Sequence, residues 1–89
     1  MMDRLQVIVT YDISADKARH KVSECCLDYG LDRTQYSVFS GQLKPTHIRA
    51  LAKQLESLIE DGHILIIPIS RDDWERRQQI GAEVSHDDG

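Results

Sequence analysis

The chain has 89 residues, 40% of them hydrophobic, and a formal net charge of −4. That length sets an expectation of one domain with a modest core, and that hydrophobic share is too high for a disordered chain. An acidic balance excludes a general nucleic-acid coat, which would be basic. The charge is uneven: residues 1–58 carry eight Lys/Arg against seven Asp/Glu, and residues 59–89 carry three against eight. Any anion-binding surface is therefore a local patch in the first two-thirds, helped by Arg71, Arg76 and Arg77.

The first residues, Met1-Met2-Asp3-Arg4-Leu5, lack the apolar core of a signal peptide. No apolar run approaches the ~18 residues of a membrane span. Cys25 and Cys26 are adjacent and are the only cysteines, which leaves no disulfide framework and no CxxC zinc site within one chain. The expectation is a cytoplasmic protein with reduced thiols and no membrane contact.

Leu5 to Tyr11 reads as a β-branched strand with apolar residues on both faces, hence a central one. Asp12 falls where that strand stops. Ser14 is expected as the N-cap of a helix over Ala15–Tyr29, with Gly30 as its C′ residue. Ala18, Val22, Cys25, Cys26 and Tyr29 share the apolar face of this helix, and Arg19 at its border can reach the strand end. Arg33 to Ser40 reads as the next strand, ended by Gly41, with Ser37 and Phe39 on one face. Pro45 opens a second helix striped by Ile48, Leu51, Ala52, Leu55, Leu58 and Ile59, and Gly62 stops it. His63–Ile69 is an aliphatic strand whose Pro68 suits an edge. Residues 70–75 read as a turn, residues 76–84 as an additional C-terminal strand interrupted by Gly81, and residues 85–89 as a flexible tail.

With Arg33–Gly41 supplying a bent strand pair, the order becomes a ferredoxin-like βαββαβ sandwich over residues 1–84. Two helices cover one sheet face. The other face, carrying Ile8 and Phe39, needs a cover, and a face-to-face homodimer follows.

Asp12 is either a helix cap or a site. One carboxylate cannot cage a metal, but Mg²⁺ takes one or two carboxylates plus waters and phosphates. A twofold dimer would bring a second Asp12 if the strand ends met at the axis, and the pair could hold one Mg²⁺ that activates water and polarises a phosphodiester. Arg19 and Arg33 offer planar forks for phosphate; a solvated surface role is the alternative for each. Ser37 and Phe39 read first as sheet-face packing. His20, His47, His63 and His86 lack metal-ligand spacing. Ser14-Ala15-Asp16-Lys17 matches S-x-x-K without any of that motif's companions, and no P-loop or GxGxxG is present.

Three stretches together resemble one family: Val7 to Ser14 with its Val9-Thr10-Tyr11-Asp12-Ile13, Lys17-Ala18-Arg19 with Lys21-Val22 and Tyr29-Gly30, and Arg33-Thr34-Gln35-Tyr36-Ser37-Val38-Phe39-Ser40-Gly41. The ordered set over residues 5–69 resembles the CRISPR-associated protein 2 family, the small adaptation nuclease of CRISPR systems. The resemblance implies a ferredoxin-like homodimer whose C-terminal strand extends the partner's sheet. It implies that Asp12 binds a divalent cation such as Mg²⁺, paired across the dimer and preceded by Tyr11. It implies that Arg19, Arg33 and Lys17 contact nucleic acid, supported by Ser37 and Phe39. Two roles come with it. One is metal-dependent endonuclease activity on RNA or double-stranded DNA; the other is a non-catalytic DNA-bridging scaffold for the CRISPR integrase in spacer acquisition, with acidic residues 72–73 and 83–88 facing that partner. A toxin-like ribonuclease of the same fold is a third reading.

Overall fold

The computed structural model describes residues 4–81. Its elements are β1 (Leu5–Asp12), α1 (Asp16–Asp28), β2 (Asp32–Gln35), β3 (Val38–Leu43), α2 (Pro45–Glu56), β4 (His63–Ile69) and α3 (Arg71–Glu75). The strands form one antiparallel sheet in the order β2-β3-β1-β4. This is the expected ferredoxin-like arrangement, with the apolar β1 in a central place.

Period-two alternation decides which residues of β1 enter the core. Val7, Val9 and Tyr11 are buried against Val22, Cys25 and Cys26 of α1 and Leu51 and Leu55 of α2. Gln6, Ile8, Thr10 and Asp12 therefore point to the opposite, helix-free face. On β4 the same rule packs Ile64 and Ile66 against the core and leaves Leu65 and Ile67 50% and 42% exposed on the open face. Pro68 sits on this edge strand, where a missing N–H costs no ladder bond on the outer side.

Several expectations are corrected. The Arg33–Gly41 stretch does supply the expected strand pair, but with other bounds: β2 turns at Tyr36-Ser37 into β3, which continues through Gly41 to Leu43. Gly41 does not end the strand. It makes room, because a Cβ there would lie 2.7 Å from Leu31 Cδ2. Phe39 pairs with the core-facing Val9 of β1 and is therefore fully buried under the helices rather than on the open face. Ser14 does not cap α1. The N-cap is Ala15, without a side-chain cap. Helix α2 ends at Glu56, well before Gly62, whose φ of +86° serves the following turn.

Residues 70–75 are not a simple turn. Ser70 accepts a hydrogen bond from the Asp73 N–H at 3.2 Å and caps α3, and Asp72 and Asp73 suit its first turn. Of the expected strand over residues 76–84, residues 76–81 pair with no strand of the sheet. Arg76 instead donates its N–H to Asp72 and Asp73 and its guanidinium to the Asp73 carboxylate, while Arg77 stacks 4.0 Å over the Trp74 ring. Residues 82–84 and the expected tail over 85–89 lie outside the described residues.

Candidate functional site

The fold distributes the expected site residues over three places. Asp12 ends β1 on the open face. Tyr11, its neighbour, points the other way into the core, so one strand delivers the two side chains to opposite sides of the sheet. Asp12 is exposed, and among the described residues its carboxylate has no hydrogen-bond or ion-pair partner. It caps nothing.

The second place is a cleft of about 300 Å³ between α1 and the β2–β3 turn, lined by Tyr11, Asp16, Arg19, His20, Ser23, Arg33 and Tyr36. Arg33 is its centre. One arm of the guanidinium donates to Ser23 Oγ at 2.7 Å and the other to the Tyr36 carbonyl at 2.9 Å. The group lies over the Phe39 ring, 5.1 Å from its centroid. Phe39 in turn stacks on Tyr11, with centroids 6.3 Å apart and planes 22° apart. Tyr11 and Phe39 thus form the floor on which Arg33 rests. Burial raises the Tyr11 phenol above its usual range, opposed by the nearby Arg33 charge, so the hydroxyl is neutral and able to donate.

Arg19 stands at the mouth of the same cleft. It donates to the Ile13 carbonyl at 3.2 Å, just beyond the end of β1, and pairs with Asp16. Ser37 contributes through its backbone: its carbonyl accepts the Tyr11 N–H at 3.2 Å. Ser23, Tyr36, His20 and Asp16 are cleft residues that the sequence reading did not place in a site. Ser23 carried no signal, lying between apolar helix positions, and Tyr36 read as a strand residue. Its place in a turn leaves it 73% exposed, an aromatic face beside a guanidinium.

Lys17 occupies the third place. It lines a separate cleft of about 300 Å³ with Lys21, Glu60 and Asp61, away from Arg33. The structure does not join it to the Arg19–Arg33 pair.

A divalent cation has one free carboxylate to bind here. No group of three or more His, Cys, Asp or Glu side chains gathers among the described residues. Mg²⁺ accepts one or two carboxylates and keeps its waters, so an unpartnered Asp12 fits half of such a site.

An antiparallel βαββαβ sheet with a guanidinium cleft on the helix side and an exposed carboxylate on the open side defines a small ferredoxin-like protein. The profile of the family described as CRISPR associated protein Cas2 matches residues 5–77, and the chain belongs to that family. It is 49% identical over 59 residues to the CRISPR-associated endoribonuclease Cas2 2 of Chloroflexus aurantiacus, covering 66% of this chain and 68% of that one. It is 39% identical over 83 residues to the CRISPR-associated endoribonuclease Cas2 of Desulforudis audaxviator, covering 91% and 76%. A Cas1/Cas2 endonuclease fusion of Thermoproteus tenax matches 59 residues at 41% identity, 66% of this chain and 22% of the fusion. A crystal structure of a Cas2 protein superposes with a TM-score of 0.75 at 26% identity over 93% of each chain.

Proposed function

We propose that the chain is a CRISPR adaptation protein, a metal-dependent endonuclease for RNA or double-stranded DNA that acts with the CRISPR integrase. The observation that carries the reading is Asp12: a carboxylate at the end of a central strand, exposed and without a partner among the described residues, where a cap would have been bonded. The names of the relatives from Chloroflexus and Desulforudis support the nuclease reading, and the Thermoproteus fusion supports the integrase as partner.

The functional unit is a face-to-face homodimer of ferredoxin-like domains spanning residues 1–84. Exposed Leu65 and Ile67 and half-buried Ile8 on the open face favour a cover of that kind. Two Asp12 carboxylates would hold Mg²⁺ or another divalent cation. When bound, that cation supplies positive charge to polarise a phosphodiester and the attacking water. The chain's own residues do the rest. Arg33 and Arg19 bind the phosphate backbone, and a guanidinium has more donors than their internal contacts use. Tyr36 offers a ring for base stacking. Lys17 adds charge at a separate point of the backbone. The reading carries with it a cytoplasmic location; no helix among the described residues is long and apolar enough to cross a membrane.

The test is Asp12→Ala. Because the Asp12 carboxylate has no partner among the described residues, the substitution should leave stability within about 0.5 kcal/mol and the dimer intact. Divalent-dependent cleavage should fall by roughly 100-fold or more. A variant that cuts like wild type overturns the nuclease reading. One alternative is a non-catalytic DNA-bridging scaffold for the integrase. Spacer acquisition that survives Asp12→Ala while cleavage is lost selects it.

A further inference from the structure

Asp12 has a neighbour that sequence spacing hides. In the β1–β4 ladder it is paired in register with His63, the first residue of β4. Paired residues of antiparallel strands share a face, with Cβ atoms ~4.5–5.5 Å apart. Tyr11 and Ile64, which follow the same register one step along, both pack on the core side, so the Asp12–His63 pair faces the open side. Both residues are exposed, and neither side chain has a hydrogen-bond or ion-pair partner among the described residues. His20, by contrast, is engaged by Glu24 at 3.1 Å on the surface of α1.

The backbone beneath the pair is tightly held. Gly62, immediately before His63, has φ +86°, and a Cβ there would lie 2.5 Å from the Asp12 carbonyl oxygen and 3.2 Å from Ile13 Cα. Only glycine permits this approach, which locks the start of β4 against the end of β1. A carboxylate and an imidazole are thus presented side by side from a rigid ladder, each free to bind something.

We infer that His63 is a second ligand of the Asp12 metal site, so that the site prefers a first-row transition-metal dication such as Mn²⁺ over Mg²⁺. The inference rests on the reading of Asp12 as a metal residue and deepens it. Mg²⁺ takes oxygen ligands and gains little from an imidazole; first-row transition metals bind imidazole nitrogen as well as carboxylate. In a twofold dimer with the strand ends at the axis, each copy would contribute one oxygen and one nitrogen. His63 sits at the rim of its strand, where its ring nitrogen can reach an ion beside Asp12 without displacing a core residue.

The experiment is Mn²⁺ binding by the full chain, followed by electron paramagnetic resonance, with Mg²⁺ as competitor. Wild type should show nitrogen hyperfine coupling to the bound ion and a preference for Mn²⁺ of about tenfold or more. His63→Gln should abolish the coupling, weaken Mn²⁺ by about tenfold or more, and leave Mg²⁺ affinity unchanged. Asp12→Asn should abolish both metals' binding. If wild type binds Mn²⁺ without nitrogen coupling, or His63→Gln keeps it, His63 is not a ligand and the Asp12 reading stands alone. If Asp12→Asn binds as wild type does, the metal lies elsewhere, and both readings fall. The wild-type spectrum decides even where a variant does not fold, and circular dichroism of each variant checks that it does.

Discussion

Arg33 holds the guanidinium cleft together, and its removal has a cost that can be worked from its contacts. Arg33→Ala removes the bond to Ser23 Oγ at 2.7 Å, the bond to the Tyr36 carbonyl at 2.9 Å and the contact with Phe39 at 5.1 Å. A hydrogen bond from a charged donor contributes about 1.5–3 kcal/mol when desolvated, and a cation–π contact about 0.5–1 kcal/mol near the surface. The Tyr36 contact is exposed, so its bond counts for little; the Ser23 bond is part-buried and counts in full. Ser23 is only 8% exposed, and the opened cleft admits water to replace part of what it loses. The expected loss is about 2 kcal/mol, which at a urea m-value of about 1 kcal/mol/M for a chain this small lowers the midpoint by about 2 M. Arg33→Lys keeps the charge but not the two-armed geometry, and should lose about half as much. Equilibrium urea unfolding followed by circular dichroism measures both, and a double-mutant cycle with Ser23→Ala should return a coupling of about 1 kcal/mol. An Arg33→Ala variant within about 0.5 kcal/mol of wild type would refute the reasoning, since surface substitutions without contacts fall in that range. Nucleic-acid binding by Arg33 variants has to be compared at equal folded fraction.

Two other predictions concern the core and the turn beneath Asp12. Burial pushes the Cys26 thiol up to about 12, with the neighbouring Cys25 adding to the shift, and burial raises Cys25 as well. Above the ordinary thiol range of about 8.5–9 the unfolded chain has therefore released protons that the folded chain still binds, so stability is whole below pH ~9 and falls as pH rises toward 12. Cys26→Ala should be less stable at neutral pH through the cavity it leaves, yet show a shallower alkaline decline in thermal midpoint; equal slopes would show that Cys26 is not the cause. Gly62→Ala imposes both a left-handed backbone on a residue with a Cβ and a collision with the Asp12 carbonyl, for a cost on the order of 2 kcal/mol or more. Gly41→Ala meets the Leu31 side chain at 2.7 Å and its Cα at 3.3 Å but needs no left-handed backbone, and should cost less; thermal unfolding of the two variants side by side checks the order.

The sheet and its two long helices were legible because their signals are periodic. Leu5–Asp12 alternates, and Val22, Cys25, Cys26, Leu51 and Leu55 fall at helical steps on the faces that are buried. What stayed hidden depends on single-residue events. The β2–β3 turn at Tyr36-Ser37 contains no glycine, proline or asparagine, so the run from Arg33 to Ser40 read as one alternating strand and put Phe39 on the wrong face. Helix α3 is five residues long, too short for a periodic stripe, although the Ser70–Asp73 spacing was the capping signal that could have found it. In the candidate site, Arg19 and Arg33 were recognisable by type, but their partners were not. Ser23 meets Arg33 from ten positions away across a helix-to-sheet contact, and His63 meets Asp12 only once the β1–β4 register is known.

Strand alternation also separates the two roles proposed for this chain. Tyr11 helps floor the arginine cleft on the helix side, and Asp12, the next residue, stands on the open side. Arg33 takes its position from Ser23, Tyr36 and Phe39, and Asp12 takes its position from the β1–β4 ladder and Gly62. The two centres therefore do not depend on one another for their geometry. On the proposed reading, phosphate binding at the cleft should survive removal of Asp12, and metal binding at Asp12 should survive removal of Arg33. Bridging DNA for an integrase then draws on the first centre alone, whereas hydrolysis draws on both, so loss of Asp12 should end cleavage and leave bridging.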